Sequence, residues 1–182
     1  FWTTAPLGGE IRDGYLYGRG TVDTKSLGIF GLQALIEVHR AEQGGLDHGI
    51  WTPLRYMWPV ADIPVLPLAF VPTWSPRQLF EFGAVLAPLA AQGVLIMGTG
   101  SITHNLRRVF AGGLNADADA PEIAESAAFR QWMQQASSGR DWDALFDYRR
   151  QAPHAVDMHP TDEHLLPWYV AAGAAGRDAP PL

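Results

Sequence analysis

Ile63-Pro64-Val65-Leu66-Pro67-Leu68-Ala69-Phe70-Val71, then Ser75-Pro76, then Gly93-Val94-Leu95-Ile96-Met97-Gly98 decide how this chain is read. The first stretch is a short apolar run, bounded by polar residues, and reads as a strand. Ser75 supplies an N-cap and Pro76 an N1 proline, so a helix is predicted through about Ala91. The third stretch is a fully apolar strand closed by glycines. Strand, helix, apolar strand is the signature of a buried mixed or parallel sheet flanked by helices, and the predicted fold class is α/β.

Working downstream, further helices are predicted at Pro121–Ser137, at Trp142–Arg150 and from Thr161 to about Ala175. Upstream, Leu27, Phe30, Leu32, Leu35, Ile36 and Val38 recur at helical spacing between Lys25 and His39. Arg40-Ala41-Glu42-Gln43-Gly44-Gly45 ends that helix and marks a boundary. Ahead of it, Phe1 to Tyr17 is rich in Gly, Thr and Pro, with short β-type pieces such as Gly14-Tyr15-Leu16-Tyr17. The expected organisation is an N-terminal appendage, residues 1–44, followed by a domain, residues 45–182. The chain opens at Phe1 without Met and closes on Pro180-Pro181-Leu182, and both ends are expected to be cut.

With 182 residues, 47% of them hydrophobic and 18% charged, the chain has the composition of a soluble globular protein. A net charge of −6 argues against a nucleic-acid or anionic-membrane partner, which needs clustered Lys and Arg. Only Arg107-Arg108 and Arg149-Arg150 stand as basic pairs. The absence of cysteine excludes disulfides, thiolate metal sites and a cysteine nucleophile. No apolar run reaches the roughly 18 residues of a membrane span, and a cytoplasmic protein is expected.

Five of the six histidines fall after the boundary. His104 follows the Gly98-Thr99-Gly100-Ser101 turn at the end of the apolar strand, where ligand sites in open α/β sheets lie. A neutral imidazole there can bind a metal or move a proton near pH 7. The alternative is that each histidine hydrogen-bonds within its own loop. His159 and His164 are five apart, share no helix face, and do not form a His-Glu-x-x-His zinc helix. Composition and spacing stop at a candidate histidine metal site.

Five segments go further. Gly45-Leu46-Asp47-His48-Gly49-Ile50-Trp51-Thr52-Pro53-Leu54, Ala61-Asp62-Ile63-Pro64-Val65, Gly93 to Ser101, Thr103-His104-Asn105-Leu106-Arg107 and His159-Pro160-Thr161-Asp162-Glu163-His164-Leu165-Leu166-Pro167 resemble, in order, the DODA-type (LigB-like) extradiol ring-opening dioxygenases. The resemblance implies a non-haem divalent metal, Fe(II) or Zn(II), and a small aromatic diol and O2 as partners. Carried over by motif, His104 and His164 are metal-ligand candidates, His48 is a candidate acid/base beside the bound phenol, and His159 is a second catalytic candidate next to them. A catechol becomes reactive toward oxygen when a metal binds it as the catecholate, and a nearby histidine can take the phenol proton and return it. Asp47 and Asp62 read as turn or cap carboxylates. Trp51, Trp58 or Trp168 would suit an aromatic-ring wall, though tryptophans are more often core. If the resemblance holds, His48, His104 and His164 converge on one concave site. Members of the family also open with a Gly-His-Gly-Ser-Pro-like turn and a later Ser-Ala-His-Trp-like strand, whose histidines belong to the metal site. Neither string is present in this chain.

The first segment resembles something else. Trp2-Thr3-Thr4-Ala5-Pro6-Leu7-Gly8-Gly9-Glu10-Ile11, followed by Gly18-Arg19-Gly20-Thr21-Val22-Asp23-Thr24-Lys25, is similar to M20-family metallopeptidases. That likeness implies Asp23 as a metal-bridging carboxylate, but the family's other ligands are missing and one carboxylate holds no two-metal site. Asp23 as a helix cap is the alternative. The expectation is a truncated dioxygenase domain joined to a peptidase fragment by recombination or misassembly, with the first helix's apolar stripe partly exposed and a proteolytic site near Glu42–Gly45. A non-catalytic α/β remnant with weak metal binding is the alternative function, and an M20 peptidase fragment a remote one.

Overall fold

The computed structural model describes residues 10–12, 15–17, 48–69, 71, 73–111 and 120–179. The chain divides into two compact units, Phe1–Phe70 and Val71–Leu182. In the first, β1 (Glu10–Arg12) and β2 (Tyr15–Tyr17) pair antiparallel, with Ile11 opposite Leu16. The β-type pieces read from the sequence form this hairpin. The predicted helix over Lys25–His39, the boundary at residues 40–45 and Asp23 lie outside the described residues. Helix α1 (His48–Met57) follows and carries Pro53 in its interior. That proline masks the helix in the sequence, because its missing N–H and fixed φ disfavour helix interiors.

The second unit is built on helix α2 (Pro76–Leu86), extended by a 3-10 turn over Ala87–Gln92. Its start is a full capping box: the Ser75 hydroxyl accepts the Gln78 N–H, and the Gln78 side-chain oxygen accepts the Ser75 N–H at 2.9 Å. Leu79, Phe80, Phe82 and Leu86 form its buried face. Further helices follow: α3 (Leu106–Ala111), α4 (Ala124–Ser138), α5 (Trp142–Phe146), α6 (Tyr148–Gln151), α7 (Ala155–Met158) and α8 (Leu166–Ala175).

Helices α2 and α8 pack along their length. Gly83 faces the Val170 carbonyl and Gly173 faces the Phe80 carbonyl so closely that a Cβ at either position would overlap the opposing backbone. Small residues at both crossing points let the two helices approach backbone to backbone. An aromatic core then fills the angle between α2, α5, α6 and α8: Phe80 lies 4.6 Å from Trp142 and 5.4 Å from Phe146 between ring centroids. Tyr169, fully buried, donates its hydroxyl to the Leu145 carbonyl at 2.6 Å. Such a core polar group costs little only because it is bonded.

The predicted sheet is where sequence and structure differ. Residues 93–98 and the described part of 63–71 run without regular secondary structure and join no ladder. Among the described residues of the second unit no strand is present, so the apolar 93–98 segment has no ladder partner. Val94 and Leu95 are 43% and 62% exposed. In the 63–71 stretch, Pro64 and Pro67 also remove two ladder donors. What the second unit supplies is a mostly helical scaffold. The predicted helix over 142–150 is two short helices broken at Asp147, whose φ of −108° and ψ of 26° leave the helical region. The predicted helix over 161–175 begins only at Leu166, because Pro167 suits a first turn and not an interior. No helix among the described residues is long and apolar enough to cross a membrane.

Candidate active site

Residues 98–105 of the second unit and the segment from Met158, at the end of α7, to Leu166, at the start of α8, lie side by side and are stitched at three points. The Ser101 N–H donates to the His164 carbonyl at 2.8 Å, and the His104 N–H donates to the Met158 carbonyl at 2.8 Å. Between them, His159 Nε2 stands 2.7 Å from the Ile102 carbonyl. Gly100 permits this approach, since a Cβ there would overlap the His164 carbonyl oxygen. The Ser101 hydroxyl closes its own turn on the Thr103 carbonyl at 2.7 Å. Asn105 accepts the Arg108 N–H at 3.1 Å, capping α3, and donates to the Asp157 carbonyl at 2.6 Å.

The product of this stitching is a stacked pair of imidazoles. His104 and His164 have ring centroids 3.4 Å apart and planes 13° from parallel. His164 Nδ1 is buried and has no hydrogen-bond partner. The Glu163 carboxylate is 3.5 Å away, near enough to interact electrostatically but too far to accept a good N–H bond. Glu163 is itself held below the ordinary carboxylate range, first by a backbone N–H and then by the Thr161 hydroxyl at 2.8 Å.

His159 is buried completely. Since a carbonyl only accepts, Nε2 carries the proton toward Ile102, leaving Nδ1 as a buried acceptor without a partner. Burial pushes this imidazole below the usual histidine range, against the opposing pull of the Ile102 carbonyl. Its backbone carbonyl accepts from Arg149 Nη1 at 3.1 Å, and the same nitrogen is ion-paired with Asp162.

Of the residues singled out from sequence, His104 and His164 meet face to face, and His159 is wedged against the turn that carries His104. His48 opens α1 in the first unit and is exposed. Asp62 is exposed, and Asp47 lies outside the described residues. Trp51 is exposed on α1 and Trp58 half-buried. Trp168 stacks on Trp142 at 6.4 Å and, with Ile102, Arg130, Met133, Gln134 and Ser137, lines an open cavity of about 340 Å³. The sequence reading missed Arg149 and Asp162. Arg149 stood out only as half of a basic pair, and Asp162 only as one letter of the His159–Pro167 motif.

The paired imidazoles suit a divalent ion in part. Two histidines stand side by side, and His164 has a buried ring nitrogen without a partner; because an imidazole donates in its own plane, rings stacked face to face bind one ion together only after one of them turns. Among the described residues, however, no group of three or more His, Cys, Asp or Glu gathers into a metal-holding cluster.

Comparison with known proteins gives this histidine pair its setting. A Beta vulgaris protein named 4,5-DOPA dioxygenase extradiol is 38% identical over 142 residues, covering 78% of this chain and 51% of that protein. The crystal structure of an uncharacterized protein, JW3007, from Escherichia coli K12 superposes with a TM-score of 0.63 at 26% identity, covering 88% of this chain and 66% of that one. The chain spans about half the length of the curated relatives it matches over most of its residues. The peptidase-like likeness is confined to short stretches. One, against the Xenopus tropicalis N-fatty-acyl-amino acid synthase/hydrolase PM20D1, is 56% identical over 34 residues and covers 19% of this chain and 7% of that protein. The sequence profile of the family described as the catalytic LigB subunit of aromatic ring-opening dioxygenase matches residues 31–181. With that much of it matched, the chain belongs to the LigB family of aromatic ring-opening dioxygenases.

Proposed function

We propose that this chain carries the metal-binding and proton-transfer residues of an extradiol dioxygenase acting on a catecholic substrate, with His104 and His164 as two of the metal's ligands. The stacked His104–His164 pair with its unpartnered buried nitrogen is the observation that supports the reading. When bound, Fe(II) or Zn(II) supplies Lewis acidity that lets the diol ionise and open positions for the diol and O2. His48 takes the phenol proton and later returns one to an oxygen, a role suited to an imidazole near neutral pH. His159 contributes by holding the Ile102 carbonyl, which fixes the turn on which His104 stands. The reaction breaks a ring carbon–carbon bond beside the two hydroxyl-bearing carbons and adds both oxygen atoms of O2 to the product.

A second reading, a non-catalytic remnant that binds metal weakly, is favoured by the absence, among the described residues, of three or more His, Cys, Asp or Glu arranged to hold an ion. Oxygen uptake with dihydroxyphenylalanine, followed together with the yellow absorbance of a semialdehyde, tests the two. Metal-dependent turnover that disappears in His164→Ala supports the dioxygenase. Turnover that survives His104→Ala and His164→Ala overturns the ligand assignment.

A further inference from the structure

One guanidinium ties together the loop that presents His164. Arg149, on α6, donates through Nη1 to the His159 carbonyl at 3.1 Å and pairs with the Asp162 carboxylate. These two partners bracket the turn His159-Pro160-Thr161-Asp162, and the Asp162 carbonyl in turn accepts the N–H groups of Leu165 and Leu166 as α8 begins. His164 sits inside this last turn, so its backbone has an anchor on each side: Asp162 before it, and the Ser101 bond to its own carbonyl. The Arg149 and Asp162 side chains are each about one-third exposed, at 35% and 31%. Such a pair adds little to global stability, whereas the one Nη1 nitrogen holds two acceptors of the turn at once.

We propose that Arg149 is a positioning residue for His164: by clamping the 159–162 turn to α6 it holds the His164 imidazole beside His104, where a turn of one ring brings both within reach of one ion. The proposal rests on the reading of these two histidines as metal ligands. A part of it, the ring juxtaposition, stands without metal. Truncating Arg149 frees one end of the turn, and His164 then samples rotations that separate the two rings. Lysine retains the charge and one donor nitrogen but lacks the planar guanidinium that fixes the direction of its N–H groups, so it restores the arrangement only partly.

The test uses the full 182-residue chain with Arg149→Met, Arg149→Lys and Asp162→Asn. Imidazole proton resonances of His104 and His164, read without metal, report the stacking through mutual ring-current shifts, and Co(II) titration followed by visible absorption reports affinity. Arg149→Met is expected to abolish the mutual shifts and to weaken Co(II) binding about 10-fold or more, in the range that loss of an outer hydrogen-bond partner costs a metal site. Arg149→Lys should recover part of both signals, and Asp162→Asn should move them in the same direction as Arg149→Met while the far-ultraviolet circular dichroism stays unchanged. Folded Arg149→Met or Asp162→Asn protein that keeps the parent ring shifts, and Co(II) affinity within about twofold of the parent, overturns the clamp. A parent chain that shows the stacked-ring shifts but binds no Co(II) counts against the metal reading alone, and the clamp is then decided by the metal-free shifts.

Discussion

At His159, geometry dictates the chemistry of a single side chain. With Nε2 committed to the Ile102 carbonyl and Nδ1 buried without an acceptor, a second proton on the ring would have nowhere to bond. The folded-state pKa is therefore lowered, chiefly by burial, from the ordinary 6.5. The sign follows from linkage: below 6.5 the unfolded ring binds protons more readily than the folded one, so stability is full above that value and is lost as the pH falls through the folded value. Urea unfolding at about pH 7.5 and about pH 5 should show a drop in stability that His159→Phe makes smaller, whatever that substitution costs in absolute terms through the lost bond to Ile102. An unchanged difference between the two pH values would sink this account. The same scale shows what a sequence can name. His104 and His164 were legible because each sits in a recognisable motif next to glycine or proline. Arg149 was not, since its partners lie 10 and 13 residues away across turns whose geometry no periodicity encodes.

Among the elements, α2 and α8 form the frame on which the His164 turn is hung, and their closeness depends on two missing side chains. Gly83→Ala or Gly173→Ala gains about 1 kcal/mol of helix propensity. The added methyl group, however, meets a backbone carbonyl that cannot swing aside. Forced overpacking of this kind costs about 1–3 kcal/mol, and relief by side-chain movement is not open here, so the net sign is destabilising. Thermal unfolding should fall for both variants, by about 2–4 °C per kcal/mol for a chain of this size. An unchanged or raised midpoint for either variant would show that the helices can slide apart. Ser75→Ala, which removes half of the capping box, should cost about 1 kcal/mol by the same measurement. The start of α2 could be read from Ser75-Pro76, because a cap acts locally, whereas α8 was expected from Thr161 and begins five residues later at Leu166. The two predicted strands could not be confirmed the same way. An apolar run such as Val94-Leu95-Ile96-Met97 states a tendency to pair, but pairing needs a neighbour, and the described residues of its unit offer no strand.

Over the whole molecule, two facts bear on activity together: the chain spans about half the length of its curated relatives, and the described residues bring only two imidazoles to the candidate metal site. A catalytic ion must be held by enough protein donors to fix its geometry while positions stay open for the diol and O2. Two histidines leave it labile, and the chain as given lacks the Gly-His-Gly-Ser-Pro-like and Ser-Ala-His-Trp-like strings through which the resembling family supplies two more. The expected outcome is weak Fe(II) or Zn(II) binding by the 182-residue chain and little or no ring opening of catechols. Fusing to Gly45 an opening segment that carries both strings should raise metal affinity by more than the roughly 10–100-fold that outer hydrogen-bond partners alone provide, and should bring oxygen uptake and semialdehyde absorbance with it. In that fused chain His164→Ala should abolish metal binding, and His48→Ala should leave metal binding intact while suppressing turnover, which separates the ion's ligands from the proton carrier. Robust turnover by the chain without the added segment would mean that a different residue completes the site. Glu163 is the first to test then, because its carboxylate lies 3.5 Å from His164 Nδ1, and Glu163→Gln would be expected to remove the activity that His164→Ala removes.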